Sequence, residues 1–86
     1  ARSHIRSKGY GGYFGHGLGH GIGLQIHEYP RVSTQSTHTL HTGNVITIEP
    51  GIYVPREFGV RIEDDIVIQD ETCRVLTKSS KELIVV

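Results

Sequence analysis

The chain has 86 residues with nine basic and nine acidic side chains, so it carries no formal net charge at neutral pH. This balance argues against nucleic acids and anionic membranes as partners, because both attract an excess of positive charge. No apolar run approaches the roughly 20 residues needed to cross a bilayer, and the polar N-terminus is unlike a signal peptide. We therefore expect a soluble protein of the cytoplasm. Cys73 is the single cysteine, so an intrachain disulfide is excluded; it lies in a turn-like segment over residues 70–73, and we interpret its thiol as a bystander.

The length allows one domain at most. A fold of this size buries only about two-thirds of the surface that its unfolded chain exposes, which leaves a thin margin of stability. The chain also begins at Ala1 and contains no methionine. We therefore interpret it as a fragment of a longer protein.

The first predicted element is the tail of a helix over residues 2–8, because basic residues precede Gly9 as at a helix C-terminus. Glycine then occupies every second position from Gly15 to Gly23, which disfavours a helix and predicts an extended segment. One face of that segment would be bare backbone, open to the close approach of another strand. The other face would carry His16, Leu18, His20, Ile22 and Leu24.

Residues 29–42 are rich in serine, threonine and histidine and are predicted to form a loop. Residues 45–53 and 60–69 are rich in β-branched side chains and predict two strands, joined by a connection over residues 55–59. A last hairpin is predicted from residues 74–77 and 82–86. The fold class is therefore α+β with mainly antiparallel strands.

Carboxylates and imidazoles supply the candidate chemistry. Glu49 precedes Pro50, so its backbone is held extended and its side chain has a fixed direction. Pro50 also lacks an N–H for the strand ladder, so we expect the strand to be interrupted there. Arg61 and Glu63 share one face of their strand, while Asp64 falls on the apolar face, where it needs a partner or would support a neighbouring ligand. Nitrogen and oxygen donors without thiolate suit manganese, cobalt, zinc or iron.

Simpler interpretations stand beside these. A lone histidine is more often a hydrogen-bonded structural residue than a ligand, and His38 and His41 have no carboxylate near them in sequence. Arg61 and Glu63 could form a surface ion pair worth less than about 1 kcal/mol. The glycine run matches neither the G-x-G-x-x-G spacing nor a Gly-Lys-Ser/Thr phosphate loop, so it gives no support to nucleotide binding.

Four motifs in order resemble the closing part of the pita-bread metallopeptidases, the family of Xaa-Pro dipeptidase and aminopeptidase P. The motifs are His16-x-x-x-His20, His27-Glu28, Ile48-Glu49-Pro50-Gly51 and Arg61-Ile62-Glu63-Asp64-Asp65. The resemblance implies the C-terminal portion of the pita-bread fold, with residues 1–86 forming a C-terminal fragment of a single metallopeptidase catalytic domain.

The resemblance also implies roles for six residues. The metal ligands would be His20, Glu49 and Glu63, with Glu63 bridging two divalent ions, manganese first and cobalt, zinc or iron as alternatives. The catalytic residues would be His16, His27, Glu49 and Arg61. Glu49 would transfer a proton to the departing proline nitrogen, and His27 would donate a hydrogen bond to the developing oxyanion.

The implied function is metal-dependent hydrolysis of the Xaa-Pro bond in dipeptides or short proline-containing peptides. The family's site needs two further aspartates and a histidine from the preceding half of the domain, so the 86 residues alone should be inactive. Exposed sheet edges predict association with that half or with another copy as a homo-oligomer. Two alternatives remain: a catalytically inactive peptide- or protein-binding module, and a metal-free hydrolase resembling creatinase.

Overall fold

The computed structural model describes all 86 residues. One α-helix and a short 3-10 helix precede seven strands. They are α1 (Arg2–Ser7), the 3-10 helix (Gly11–Tyr13), β1 (Gly19–Gly21), β2 (Glu28–Val32), β3 (Val45–Ile48), β4 (Gly51–Val54), β5 (Phe58–Arg61), β6 (Asp64–Gln69) and β7 (Thr72–Val75). The helix at the N-terminus is confirmed, and Gly9 follows it with the left-handed φ of +87° that a glycine tolerates best. No helix has the length and apolar character needed to cross a bilayer.

The strands form two antiparallel sheets. The larger one has the order β2-β1-β3-β6-β7, and β4 pairs with β5 in a separate ribbon. Every pairing is antiparallel, as the sequence predicts.

A single long hairpin runs through both sheets. The β3–β6 ladder ends at the pair Ile48↔Asp64, and the β4–β5 ladder begins at Gly51↔Arg61. The two ladders therefore share one register, which places Glu49 opposite Glu63 in the gap between them. Pro50 has no N–H to donate, so the first of the two predicted strands is interrupted at the expected point. Its partner is also interrupted, at Ile62 and Glu63, which the sequence reasoning did not anticipate.

The glycine-rich segment is extended over a shorter range than predicted, since only Gly19–Gly21 forms a strand. Ile22 and Leu24 lie beyond it and are exposed, so the predicted common face does not continue past β1. The close approach of neighbouring backbone is confirmed at Gly19 and Gly21, where an added Cβ would overlap the carbonyls of Thr47 and Tyr29.

Two predictions about the connections are wrong. The segment 29–42 is not all loop, because Glu28–Val32 pairs with β1 as the edge strand of the larger sheet. The terminal hairpin is absent: β7 pairs with β6 across a tight turn at Asp70 and Glu71, and residues 82–86 form no strand. Cys73 consequently lies on β7, exposed, rather than in a turn.

The buried core is small. Six of the 86 residues are buried, and the apolar ones are Phe14, Ile46 and Ile66, while the side chains of Leu24, Ile26 and Leu83 are largely exposed. The radius of gyration of 14.1 Å exceeds the roughly 12 Å expected for a compact domain of this length. The connection between β1 and β2 and the C-terminal tail therefore present apolar side chains that nothing in this chain covers.

Candidate metal centre and active site

His20 and Glu49 meet at the centre of a polar site. Strand β1 carries His20, and Glu49 stands in the break after β3, the strand that lies beside β1. His20 Nε2 and Glu49 Oε1 are 3.0 Å apart, and the two side chains are only 15% and 13% exposed. The pair is therefore shielded from most of the surrounding water, which strengthens its electrostatic interactions.

The hydrogen bond of His20 Nδ1 determines the protonation of Nε2 in the neutral ring. Nδ1 lies 2.8 Å from the carbonyl oxygen of Gly21, and because a carbonyl can only accept, Nδ1 carries the hydrogen. In the neutral ring Nε2 then presents a lone pair toward the Glu49 carboxylate. Metal-binding histidines are commonly oriented this way, with the non-ligating nitrogen donating to a backbone carbonyl.

Thr47 forms hydrogen bonds with both His20 and Glu49. The residue is almost fully buried, at 3% exposure, and its hydroxyl accepts a hydrogen bond from the backbone N–H of His20 at 3.1 Å. The same hydroxyl donates to Glu49 Oε1 at 3.0 Å. Thr47 was not among the predicted site residues, although it is two residues before Glu49 and so shares its face of the strand.

Arg61 links the two glutamates that the hairpin places opposite each other. Its Nη1 lies 3.6 Å from Glu49 Oε2, and its Nε lies 3.5 Å from Glu63 Oε2. The Arg61 side chain is about half exposed, so each contact is a loose ion pair that contributes under about 1 kcal/mol. Arg61 therefore offsets part of the negative charge of the two glutamates without forming a tight ion pair with either.

His16 and His27 approach the pair from two sides. His16 Nδ1 donates to the carbonyl of Gly17 at 2.7 Å, so Nε2 accepts from the hydroxyl of Tyr53 at 2.9 Å. The His27 ring lies edge-on to His20, with centroids 4.4 Å apart, and its nitrogens form no hydrogen bond within the chain. His27 is thus left with hydrogen-bonding capacity facing the site.

Arg2 holds the segment that carries His16. From α1 its guanidinium donates to the carbonyls of Phe14 and His16, at 2.8 and 2.9 Å, and lies 4.4 Å above the Phe14 ring. The site is therefore braced by a residue distant in sequence, and no feature of the sequence around Arg2 predicts this contact.

A cavity of about 620 Å³ connects these side chains. It has no hydrophobic side chain in its lining, which consists of His16, Gly17, Gly19, His20, His27, Arg31, Ser33, Gln35, Glu49 and Arg61. Five of the six predicted site residues line it. Glu63 does not line the cavity, but it contacts Arg61, which does. Arg31, also unpredicted, adds a guanidinium with no carboxylate within ion-pair distance.

The donor set fits part of a metal centre. His20 and Glu49 provide one nitrogen and one oxygen donor that face each other, a combination that suits manganese, cobalt, zinc or iron. No group of three or more histidine, cysteine, aspartate or glutamate side chains is arranged to hold an ion by itself. The assignment of His20, Glu49 and Glu63 as a ligand set therefore stays a prediction that needs donors from elsewhere.

Asp64 has a different partner from the one expected. Its Oδ1 is buried and lacks a hydrogen bond of good geometry, but the ammonium of Lys81 lies 2.8 Å away. We regard the contact as an ion pair, because the short distance between opposite charges is sufficient for attraction. Asp64 therefore anchors the C-terminal tail on β6 and does not support a candidate ligand.

Comparison with known proteins identifies the family to which this fold belongs. The family described as metallopeptidase family M24 matches residues 1–70, and the chain belongs to that family. The structure also has the fold of the pita-bread prolidases, so the fold class predicted from the sequence is confirmed.

Individual relatives are similar over almost the whole chain. A Xaa-Pro dipeptidase of Pyrococcus horikoshii is 56% identical over 84 residues, which are 98% of this chain and 24% of that protein. The structure of a Xaa-Pro dipeptidase from Bacillus anthracis has a TM-score of 0.94 at 55% identity, covering 99% of this chain and 24% of that one. An X-Pro aminopeptidase from Thermotoga maritima gives a TM-score of 0.93 at 48% identity, with the same coverage. The chain thus spans about a quarter of the length of these relatives.

Proposed function

We propose that residues 1–86 are the C-terminal part of the catalytic domain of a longer protein that hydrolyses the Xaa-Pro bond of dipeptides or short peptides. The observation that carries the proposal is the His20–Glu49 pair, whose ring and carboxylate face each other at the head of a polar cavity. Relatives named as Xaa-Pro dipeptidases, similar over almost all of this chain, support the substrate class.

The proposed cofactor is a pair of divalent ions, with manganese the first candidate. His20 and Glu49 would hold one ion together with donors from the rest of the domain, and Glu63 would complete the set once Arg61 shifts from it. When bound, such ions lower the pKa of water and polarise a carbonyl, which is the chemistry that peptide hydrolysis requires.

The chain's own residues would handle protons and substrate. Glu49 Oε2 accepts no hydrogen bond within the chain and can take a proton from the attacking water and pass it to the proline nitrogen as the C–N bond breaks. His27, with free ring nitrogens beside His20, can donate to the oxyanion. His16, oriented by Tyr53, would border the proline side of the substrate.

The free guanidinium of Arg31 bears on the length of the substrate. It lines the same cavity as His27 and has no carboxylate partner in the chain. A dipeptide brings its own carboxylate close to the scissile bond, and arginine pairs with carboxylates in a two-point geometry. This arrangement favours dipeptides over longer substrates, which a comparison of Ala-Pro with a proline-containing tetrapeptide would test.

The exposed apolar side chains indicate that this chain is covered by another polypeptide segment. We propose that the preceding half of the domain covers the surface around Leu24 and Ile26, and that the isolated 86 residues are inactive and associate with further copies through the edge strands β2 and β7. Light scattering on the isolated chain tests the association, and a dilute, compact monomer would contradict it. The cytoplasmic location remains a prediction.

The central experiment removes and restores the metal. Full-length protein treated with a chelator should lose hydrolysis of Xaa-Pro dipeptides and regain it with Mn²⁺. His20→Ala and Glu49→Gln should not regain it, whereas His41→Ala, an exposed histidine outside the cavity, should behave as the native protein. Full activity after complete metal removal would contradict the proposal. Peptide binding without hydrolysis under any metal condition would favour the inactive binding module.

A further inference from the structure

A closed circuit of polar contacts links the two central residues of the site through a third. It runs from the backbone N–H of His20 to Thr47 Oγ1, from that hydroxyl to Glu49 Oε1, and from the carboxylate back to Nε2 of the His20 ring. The three distances are 3.1, 3.0 and 3.0 Å. Thr47 Oγ1 therefore connects the His20 backbone to the same carboxylate oxygen that faces the His20 ring.

The directions of the two hydrogen bonds that Thr47 forms are determined. A backbone N–H can only donate, so the Thr47 hydroxyl accepts from His20 and has its own hydrogen free for Glu49. A hydrogen bond to an ionised carboxylate is stronger than one between neutral groups. The hydroxyl thus fixes the rotation of the Glu49 carboxylate and leaves its other oxygen turned toward Arg61.

The position of Thr47 is itself well fixed. The side chain is buried, and its β-branch restricts χ1. Strand β1 can approach this close because Gly19 has no side chain: an added Cβ would overlap the Thr47 carbonyl. The Thr47 side chain is therefore restricted to few rotamers, which fixes the position of its hydroxyl.

We propose that Thr47 is a positioning residue for the metal-binding pair, holding the His20 backbone and the Glu49 carboxylate at the separation that metal binding requires. The inference rests on the proposed function, since it assumes that His20 and Glu49 are ligands. It predicts that loss of the hydroxyl weakens metal binding even when the fold is intact.

The test is a calorimetric titration of chelator-stripped, full-length protein with Mn²⁺. Thr47→Val keeps the shape but loses the hydroxyl, and its affinity should fall by about 10- to 100-fold, the range found when groups that orient metal ligands are removed. Thr47→Ser keeps the hydroxyl and should retain most of the affinity. Thr77→Val is the matched control, because its hydroxyl also accepts from a backbone N–H, that of Asp65, but touches no candidate ligand.

The outcomes separate this proposal from the proposed function. Unchanged affinity in Thr47→Val, together with loss in His20→Ala and Glu49→Gln, would overturn the role of Thr47 and leave the metal centre standing. Unchanged affinity in His20→Ala and Glu49→Gln would overturn both. If Thr47→Val does not fold, the pair Thr47→Ser and Thr47→Ala, which differ only in the hydroxyl, gives the same comparison. Equal affinities in that pair would refute the proposal.

Discussion

The substitution Gly19→Ala tests how the glycine-rich segment builds the site. The new Cβ would lie 2.7 Å from the carbonyl carbon of Thr47 and 3.1 Å from its hydroxyl, and would overlap the carbonyl oxygen. Because the obstacle is mainly backbone, no rotamer change relieves the overlap, and β1 must move away from β3. Overpacking of this kind costs about 1 to 3 kcal/mol.

The displacement also weakens two hydrogen bonds between the strands. They join His20 N–H to Thr47 Oγ1, at 3.1 Å, and Glu49 N–H to the carbonyl of Leu18, at 2.7 Å. Each contributes about 1 kcal/mol net. We therefore expect Gly19→Ala to lower the free energy of unfolding by about 3 to 5 kcal/mol, the sum of these effects.

Gly15→Ala is the matched control within the same segment. A Cβ at Gly15 meets nothing within 4 Å, and its φ is not left-handed, so the substitution should be neutral or stabilise by up to about 1 kcal/mol. Urea denaturation of both full-length variants, followed by circular dichroism, measures the difference. Equal stability of Gly19→Ala and Gly15→Ala would refute the argument that close strand approach at Gly19 positions His20.

Two further predictions concern side chains around the site. Lys81→Ala breaks the 2.8 Å ion pair with Asp64 and should lower the free energy of unfolding, measured by urea denaturation, by about 1 kcal/mol. Lys78→Ala is the control, because it removes no ion pair and should have no effect. Equal effects of the two substitutions would contradict the anchoring of the C-terminal tail. Tyr53→Phe removes the hydroxyl that donates to His16 Nε2, so the ¹⁵N resonance of that ring nitrogen should shift. The free energy of unfolding should fall by no more than about 1.5 kcal/mol. An unchanged ¹⁵N spectrum would show that the hydrogen bond does not form in solution.

The sequence was most informative where local chemistry decides the structure. β-branched runs marked the two arms of the long hairpin, and Pro50 marked the break that releases Glu49 from the ladder. Alternating glycines indicated close backbone approach, which Gly19 and Gly21 confirm. These features follow from the conformational limits of single residues, so they could be read without knowing the tertiary fold.

Long-range pairing accounts for most of what the sequence did not reveal. The segment Glu28–Val32 contains Pro30 and looks like a loop, but β1 offers an edge that it pairs with. Likewise β7 was assigned to the wrong partner, because strand propensity does not specify which strand is adjacent. Arg2 reaches His16 across 14 positions, and no local pattern encodes such a contact.

Anomalous diffraction from crystals of the full-length protein grown with Mn²⁺ tests most directly whether His20 and Glu49 bind the metal. We predict a manganese peak in contact with both His20 Nε2 and the Glu49 carboxylate, with Glu63 turned from Arg61 toward the ion. A manganese site that touches neither His20 nor Glu49, with those two side chains still paired to each other, would contradict this prediction.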